Sequence, residues 1–309
     1  MAKFERYEPI ILDHTAMITA KRCLRQYFYQ IVLGFNTKEE AIYFAWGSAY
    51  HRFRHTLTKS YGIGKEAPYP FNEEKALNAM LFASNEGMRY WRTHGRDQEV
   101  GSKYSWMTSL RLLQSFKIAF EHWTNERKRG AIEVIAAEQP FNIQLPDGSH
   151  RSGRADEIVR WSGKLWGRDF KTSSKDGVFY QRTLDPNEQF TGYTYAEGKL
   201  SGEQIQGQLV EVLFNANPTK TSSKGPEIIE LTASRTSYQL EMWEKEHMFY
   251  KKIIDMSREE DIWPMMEVSC PFCPFHGVCK EGSEASMMYQ LETSFNVRPW
   301  DNSRVGVDL

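Results

Sequence analysis

Two acids and an amine are spaced for chemistry. Asp169 and Lys171 stand two residues apart in the run Leu165-Trp166-Gly167-Arg168-Asp169-Phe170-Lys171-Thr172, and Asp156 lies upstream in Arg151-Ser152-Gly153-Arg154-Ala155-Asp156. In an extended chain, residues i and i+2 point to one face. Asp169 and Lys171 therefore share a face, and Phe170 turns to the other. Arg154–Trp161 and Leu165–Lys171 read as strands joined by a tight turn at Ser162-Gly163-Lys164, and such a hairpin brings Asp156 alongside Asp169. Two carboxylates beside a lysine suit a divalent cation plus a group that orients or deprotonates a water. The competing use of these residues is a surface ion pair on a hairpin, so the rest of the chain has to decide.

The cysteines form a second constellation. Cys270, Cys273 and Cys279 follow a C-x2-C-x5-C spacing, and the only other cysteine, Cys23, is far upstream. Four thiolates can hold an iron–sulfur cluster or a structural zinc ion. His276 opens an alternative, because Cys270, Cys273, His276 and Cys279 make a self-contained set that zinc accepts. In that case Cys23 is only a small apolar residue on its helix.

Several further residues are candidates for a site. His51 follows the small residues Gly47 and Ala49 on a helix. Glu138 ends the strand-like run Glu133-Val134-Ile135-Ala136-Ala137-Glu138. Gln189 and Tyr193 are four apart on one helix face. Arg25, Arg52, Arg54 and Arg168 are candidate phosphate contacts.

The elements that must position these residues follow from pattern. A helix is expected from about Thr15 to Leu33, stopping at Gly34, and a second from near Lys38 through His51. A Gly/Pro-rich loop spans Gly62 to Pro70. Helices follow at Asn72–Thr93 and Ser102–Arg129, the latter with a basic last turn before Gly130. The pattern then shifts to strands: Ile132–Ile143 with a turn at Pro146-Asp147-Gly148, then the central hairpin, then a loop over Thr172–Arg182. Asp185-Pro186-Asn187-Glu188 reads as a helix start with Asp185 as cap, the helix running to Lys199. Gln206–Phe214 and Glu227–Leu231 are expected strands around a loop at Thr219–Gly225. A long helix covers Ser237–Met256, and the last twenty or so residues read as a weakly packed tail.

Composition bounds the answer. The chain has 309 residues, net charge −1, 40% hydrophobic and 14% aromatic content, enough for a sizeable core. An anionic partner must therefore be met by local basic patches. No run approaches the ~18 apolar residues of a membrane span, and the start MAKFERYEPI has no apolar signal region. A reducing cytoplasm is expected, where clustered cysteines argue for metal rather than disulfides. The segments read as 1–61, N-terminal helices; 62–130, a helical insertion; 131–256, the core; and 257–309, a cysteine-rich segment and tail.

Taken together, the pieces resemble the RecB-like branch of the PD-(D/E)XK nuclease superfamily. They are similar in particular to its four-cysteine iron–sulfur members, the CRISPR-adaptation exonucleases and AddB-type nucleases. Gly47-Ser48-Ala49-Tyr50-His51 matches the first motif, and Gly153-Arg154-Ala155-Asp156 the G-x-x-D motif. Asp169-Phe170-Lys171-Thr172 matches D-x-K, and Gln189-Phe190-Thr191-Gly192-Tyr193 matches Q-x3-Y. Glu138 takes the place of the strand glutamate ahead of G-x-x-D. Cys23 ahead of Arg25 and aromatics, with Cys270, Cys273 and Cys279, matches the cluster pattern. Two departures are Leu24, where proline is common, and a less apolar approach to Asp169, which suggests a more exposed strand.

The resemblance implies an α/β, restriction-endonuclease-like mixed sheet flanked by helices, with a helical insertion and a C-terminal cluster knob. It implies His51, Asp156, Asp169 and the Phe170 carbonyl as ligands of Mg²⁺ or Mn²⁺, the imidazole favouring Mn²⁺. Lys171 would orient water or offset charge, with Glu138, Gln189 and Tyr193 assisting, and Arg25, Arg52 and Arg168 would contact DNA. Cys23, Cys270, Cys273 and Cys279 would hold a [4Fe-4S] cluster, with zinc on the His276 set as the alternative. The implied activity is phosphodiester hydrolysis, as an exonuclease on single-stranded or end-containing DNA. DNA, a helicase, integrase or recombinase, and further copies of the chain are the candidate partners, with no membrane. The alternatives are a non-catalytic DNA-binding or scaffold subunit of a recombination, repair or CRISPR-adaptation complex, and a zinc-stabilised regulatory module.

Overall fold

The computed structural model describes residues 6–7, 12–38, 41–95, 104–175, 177–215 and 225–300, so the expected loop at Thr219–Gly225 lies outside them up to 224. In chain order the elements begin with α1 (His14–Arg22), α2 (Leu24–Tyr27), a π turn at Phe28–Val32, β1 (Phe35–Thr37), α3 (Ile42–Tyr61) and α4 (Glu73–Tyr90). There follow α5 (Ser109–Arg129), β2 (Ile132–Gln144), β3 (His150–Trp161), β4 (Lys164–Ser173), α6 (Gly177–Gln181) and α7 (Glu188–Ser201). The chain continues through β5 (Ile205–Phe214), β6 (Glu227–Ser234), α8 (Ser237–Glu259), α9 (His276–Cys279), α10 (Glu284–Ser294) and β7 (Phe295–Val297). No helix among the described residues is long and apolar enough to cross a membrane. The chain folds as two compact units, each assembled from separated segments. One takes 1–39, 140–153 and 237–308, and the other takes 40–139 and 154–236.

The second unit carries most of a five-stranded sheet of order β2-β3-β4-β5-β6. β3 and β4 pair antiparallel, β4 and β5 parallel, and β5 and β6 antiparallel. The β3–β4 turn has two residues, Ser162 (φ 49°) and Gly163 (φ 75°). Two positive φ values match the right-handed twist of a hairpin, and glycine adopts that conformation without strain. Lys164 already belongs to the strand.

Alternation along β4 fixes the layers. Phe170 joins a core of Ala45, Trp46, Phe53, Phe116 and Trp123 from α3 and α5, in which Phe53 and Phe116 stack with centroids 4.4 Å apart. On the opposite face Val210 and Val212 of β5 pack with Phe190 of α7. The sheet is thus covered on both sides, as a parallel β4–β5 pair requires.

That cover overturns the expectation of an exposed strand. Leu165, Trp166, Arg168, Asp169 and Phe170 are all at most 9% exposed. Two features make a polar strand buriable. Arg168 is neutralised by acids from other elements. At Gly167 an added Cβ would stand 2.2 Å from both Glu197 Oε2 and Gln208 Nε2, so the hydrogen-bonded Glu197–Gln208 pair (2.6 Å) occupies the volume a side chain would take.

Around Arg168 the fold buries a charge network. Its Nη2 meets Glu126 at 2.9 Å and Glu211 at 2.8 Å, and its Nη1 meets Glu157 at 3.8 Å. Arg54 Nη2 lies 2.7 Å from Glu211 Oε2, and the Tyr50 hydroxyl donates to Glu211 Oε1 at 2.6 Å. Arg54 and Arg168 are 0% and 2% exposed. Arg168 is therefore a structural cation, and the expectation that it contacts DNA is corrected, because its guanidinium does not reach solvent.

In the first unit, the expected helix from Thr15 to Leu33 is interrupted. α1 ends at Cys23, whose extended backbone (φ −168°, ψ 117°) breaks the ladder before α2 and the π turn. Asp13 caps α1 by accepting from Ala16 N at 2.7 Å. Tyr27, Phe28, Tyr29 and Ile31 pack with Trp263, Phe275 and Val278. The described part of the tail, up to residue 300, is better packed than expected. Leu291 and Phe295 join that same core, and β7 pairs antiparallel with β1. Two further expectations are revised: α7 is capped by Asn187, which accepts from Phe190 N at 3.1 Å, rather than by Asp185, and the stretch read as a loop after Thr172 contains α6.

Candidate active site

The site in the second unit is built from α3, β2, β3, β4 and α7. Continuing the Glu157↔Arg168 register by one residue sets Asp156 opposite Asp169. Asp156 Oδ2 accepts from the Phe170 backbone N–H at 2.9 Å and lies 3.3 Å from His51 Nδ1. Lys171 Nζ lies 2.6 Å from Asp169 Oδ2, and Gln189 Nε2 donates to Asp169 Oδ1 at 3.2 Å. His51, Asp156, Asp169, Lys171 and Gln189 are thus brought into one cluster by a helix, a hairpin and a second helix. Tyr193 lies within electrostatic reach of Lys171.

Glu138 joins from β2. Its Oε2 lies 2.6 Å from Arg154 Nε, and its Oε1 lies 3.6 Å from His55 Nδ1. Its backbone has φ 50°, a left-handed conformation that costs a non-glycine residue energy and breaks the alternation of β2 at this position. His55 and Arg154 are participants the sequence reading missed. The i+4 spacing of His55 from His51 was the available signal. Arg52 is half-buried, with its guanidinium 4.6 Å from the Tyr90 ring centroid.

The electrostatics are those of crowded anions. Burial opposes the charged form of Asp156, but His51, Lys171 and the Phe170 N–H hold its carboxyl down to about 2. Asp169 goes the other way: burial and the Asp156 charge outweigh Lys171 and push its pKa up. Glu138 is pushed up to about 7 by burial and then by Asp156, against Arg154 and His51. For Lys171, burial disfavours the ammonium, yet Asp169 and Asp156 outweigh it and raise its pKa. For His51, burial is likewise outweighed by Asp156, and its pKa rises. His55, with burial, Lys59 and Arg154 against it, falls to about 4 and is neutral at pH 7. Three acids share this site, and repulsion already shows in two of them. That donor set of carboxylates with one imidazole fits a hard divalent cation.

A tighter grouping, His122, Glu126 and Glu211, has ligand atoms all within 4.8 Å of one another. Arg168 and Arg54 already supply the positive charge there, so it is a less suitable place for a cation.

A family model for the PD-(D/E)XK nuclease superfamily matches residues 13–280. The chain belongs to this superfamily. No curated protein matches the sequence significantly. Members of the PD-(D/E)XK superfamily are typically nucleases and use Mg²⁺ or Mn²⁺. The five-stranded mixed sheet flanked by helices is the restriction-endonuclease-like fold of that superfamily.

In the first unit the superfamily match also covers the cysteines. Cys23 Sγ accepts from Met266 N at 3.4 Å, and Arg25 Nε donates to Trp263 O at 3.1 Å. This ties the early cysteine to the segment that leads into Cys270. Burial raises the thiol pKa of both Cys273 and Cys279, and the charges of Cys23 and Cys270 raise both further. The charge of Arg25 lowers that of Cys279. Among the described residues, no three ligand atoms of Cys23, Cys270, Cys273, His276 and Cys279 lie within 4.8 Å of one another.

Proposed function

We propose that this superfamily member is a metal-dependent DNA exonuclease of the RecB-like branch, acting on single-stranded or end-containing DNA, with an iron–sulfur cluster in its cysteine-bearing unit. The observation that carries the reading is the convergence of Asp156, Asp169, Lys171 and His51, with Asp169 and Glu138 made reluctant to ionise by burial and then by the charge of Asp156. His51, Asp156, Asp169 and the Phe170 carbonyl would hold Mg²⁺ or Mn²⁺. Bound there, the cation supplies a lowered pKa for a coordinated water and positive charge beside the scissile phosphate.

The chain's own groups divide the remaining work. Lys171 stays an ammonium at neutral pH, so it donates rather than accepts a proton and orients water or offsets phosphate charge through Nζ. Gln189 fixes Asp169 through Oδ1. Glu138, anchored by Arg154, holds a water or a second cation at the cluster's edge. Tyr193 and Arg52 contact the strand. Arg25, whose charge favours the Cys279 thiolate and whose Nε is engaged by Trp263 O, is better suited to balancing thiolate charge than to DNA.

The cluster reading rests on the C-x2-C-x5-C spacing with Cys23, whose Sγ accepts from Met266 N at 3.4 Å on the segment leading into Cys270. All four cysteines are free thiols, which accords with a reducing cytoplasm. A helicase, integrase or recombinase partner, as in repair or CRISPR adaptation, accords with an end-directed nuclease.

Cleavage of end-labelled DNA tests the activity. Wild type with Mn²⁺ should cut, wild type in chelator should not, and Lys171→Met should be slower by about 10²-fold or more. Tight DNA binding with no metal-dependent cutting would favour a scaffold subunit instead. For the cluster, protein purified without air should be brown with about four irons per chain, and Cys23→Ala should lose most of that iron and melt lower. Intact iron and an unchanged melting temperature in Cys23→Ala would remove Cys23 from the ligand set, and colourless protein holding zinc would favour the regulatory module.

A further inference from the structure

Behind the acid cluster the fold buries a carboxyl that no step of the reaction uses. Glu197 of α7 is 0% exposed, and so is Gln208 of β5. Gln208 Nε2 donates to Glu197 Oε2 at 2.6 Å and to Thr194 Oγ1 at 3.3 Å. Thr194 spends its one O–H on Phe190 O at 2.8 Å, so towards Gln208 it only accepts. That fixes the amide: both N–H groups of Gln208 are spent, and its Oε1 needs a donor. Glu197 Oε1 is likewise bare. Both oxygens are buried, and neither has a hydrogen-bond partner among the described residues. The charged groups that act on Glu197 are Asp169 and Asp156, both acids.

Ionised, Glu197 would hold a charge in a dry interior near two further acids and leave two acceptors bare, a costly arrangement. One proton removes both faults: it cancels the charge and turns a carboxyl oxygen into a donor. An added Cβ at Gly167 would stand 2.2 Å from Glu197 Oε2, 2.2 Å from Gln208 Nε2 and 2.3 Å from Gln208 Oε1. Both polar atoms of the amide therefore lie against the carboxyl, and Gln208 Oε1 is the bare acceptor beside it. Burial lifts the Glu197 pKa well above the usual carboxylate range, against Gln208, and Asp169 and Asp156 lift it further. The pair also sits where it can hold the active face together. Gln189, Tyr193 and Glu197 recur every four residues on α7, so they share a face. On β4, Gly167 and Asp169 share the face they meet. Gln189 Nε2 donates to Asp169 Oδ1 at 3.2 Å, and Glu197 fills the gap over Gly167. Gly167 is itself opposite Gln208 in the parallel β4–β5 register.

We propose that Glu197 is kept as the neutral acid and, donating to Gln208 Oε1 while accepting from Gln208 Nε2, clasps α7 onto β4 and β5 so that Gln189 and Tyr193 are held to the acid cluster. Glu197 is a positioning residue, acting through Gln189 and Tyr193. A neutral acid supplies a directional pair without adding a fourth carboxylate to a site where three already crowd. What is positioned rests on the nuclease reading, and the protonation state does not.

Two readouts on the full chain in chelator test the proton. At pH 8 the infrared difference between wild type and Glu197→Gln should contain the carbonyl band of a neutral carboxyl and no carboxylate bands. Melting temperatures give the same answer with a defined sign. The unfolded chain releases this proton above ~4.3 and the fold retains it, so wild type loses stability as pH rises, while the glutamine variant does not titrate there. Glu197→Gln should therefore gain on wild type steadily between pH 5 and pH 8. Carboxylate bands, or a melting difference that does not change with pH, would overturn the proposal. Positioning is read by Mn²⁺-dependent cleavage. Glu197→Leu should lower kcat about 10²-fold with KM for DNA little changed, and Glu197→Gln, which can both donate and accept, should keep the wild-type rate. A folded Glu197→Leu that cuts as wild type does would end the positioning role. If Glu197→Leu does not fold, exchanging the partners decides. Glu197→Gln combined with Gln208→Glu should recover the melting temperature that Gln208→Glu alone loses, and no recovery would sink the clasp. If wild type does not cut DNA at all, the nuclease reading fails, and the infrared and melting readouts still judge the clasp.

Discussion

Asp169→Asn and Asp156→Asn should each abolish metal-dependent cleavage, by on the order of 10³-fold or more, yet move the melting temperature of the metal-free protein in opposite directions. Asp169 is an acid whose ionised form the fold disfavours, through burial and then through Asp156. The amide keeps its volume and removes a repelling charge, so the fold should melt at or above the wild-type temperature. Asp156 is an acid whose ionised form the fold favours, holding it down to about 2 through His51, Lys171 and the Phe170 N–H. Its replacement should cost on the order of 2 kcal/mol, a few degrees in a chain of this size. The sign with pH follows from a depressed carboxylate. The contribution of Asp156 is in place above the unfolded value of ~3.9 and fades as pH falls toward about 2. Thermal melts of both variants in chelator between pH 7 and pH 3, alongside a Mn²⁺ cleavage assay, measure this directly. A lower melting temperature for Asp169→Asn than for Asp156→Asn would mean that the charge crowding is misread. Such opposition between function and stability is expected where a site is kept strained for catalysis.

Arg168→Met should be the most destabilising single change in the second unit. It removes a guanidinium that is within 4 Å of Glu126, Glu157, Glu211 and Glu230 and leaves Arg54 beside Glu211 and His122 beside Glu126 and Glu230. Breaking a buried ion pair by deleting one partner costs about 3–5 kcal/mol, or about 10 °C here. Arg168→Lys should recover only part of this, because one ammonium cannot satisfy acids on α5, β3, β5 and β6 at once. Differential scanning calorimetry of both variants decides it. A loss of only a degree or two would show that the acids take up protons or water instead.

These two predictions also mark what the sequence made legible. The active face of β4 was readable because strand periodicity is local: Asp169 and Lys171 must share a side, and a two-residue turn must bring Asp156 near. His51 was readable only through resemblance, since nothing in α3 alone aims an imidazole at a strand. Arg168 was misread because its burial depends on four acids drawn from four elements, a coincidence with no local signature. The exposed-strand expectation failed for the same reason: Gly167 looks like a gap in an apolar run until Glu197 and Gln208, on α7 and β5, are seen to fill it. Cys23 hid a helix break, because helix propensity is a weak prior against tertiary contacts, here with Trp263, Pro264 and Met266.

The dryness of the Arg168 network bears on how the protein answers ionic strength. Mobile ions screen charges they can approach, over ~8 Å near physiological salt, and they have little access to guanidinium groups that are 0% and 2% exposed. Strand capture by surface lysines and arginines works by releasing counterions and falls steeply as salt rises. Folding and substrate affinity therefore respond to sodium chloride on separate scales, and a concentration that strips DNA from the enzyme should leave its melting curve almost where it was.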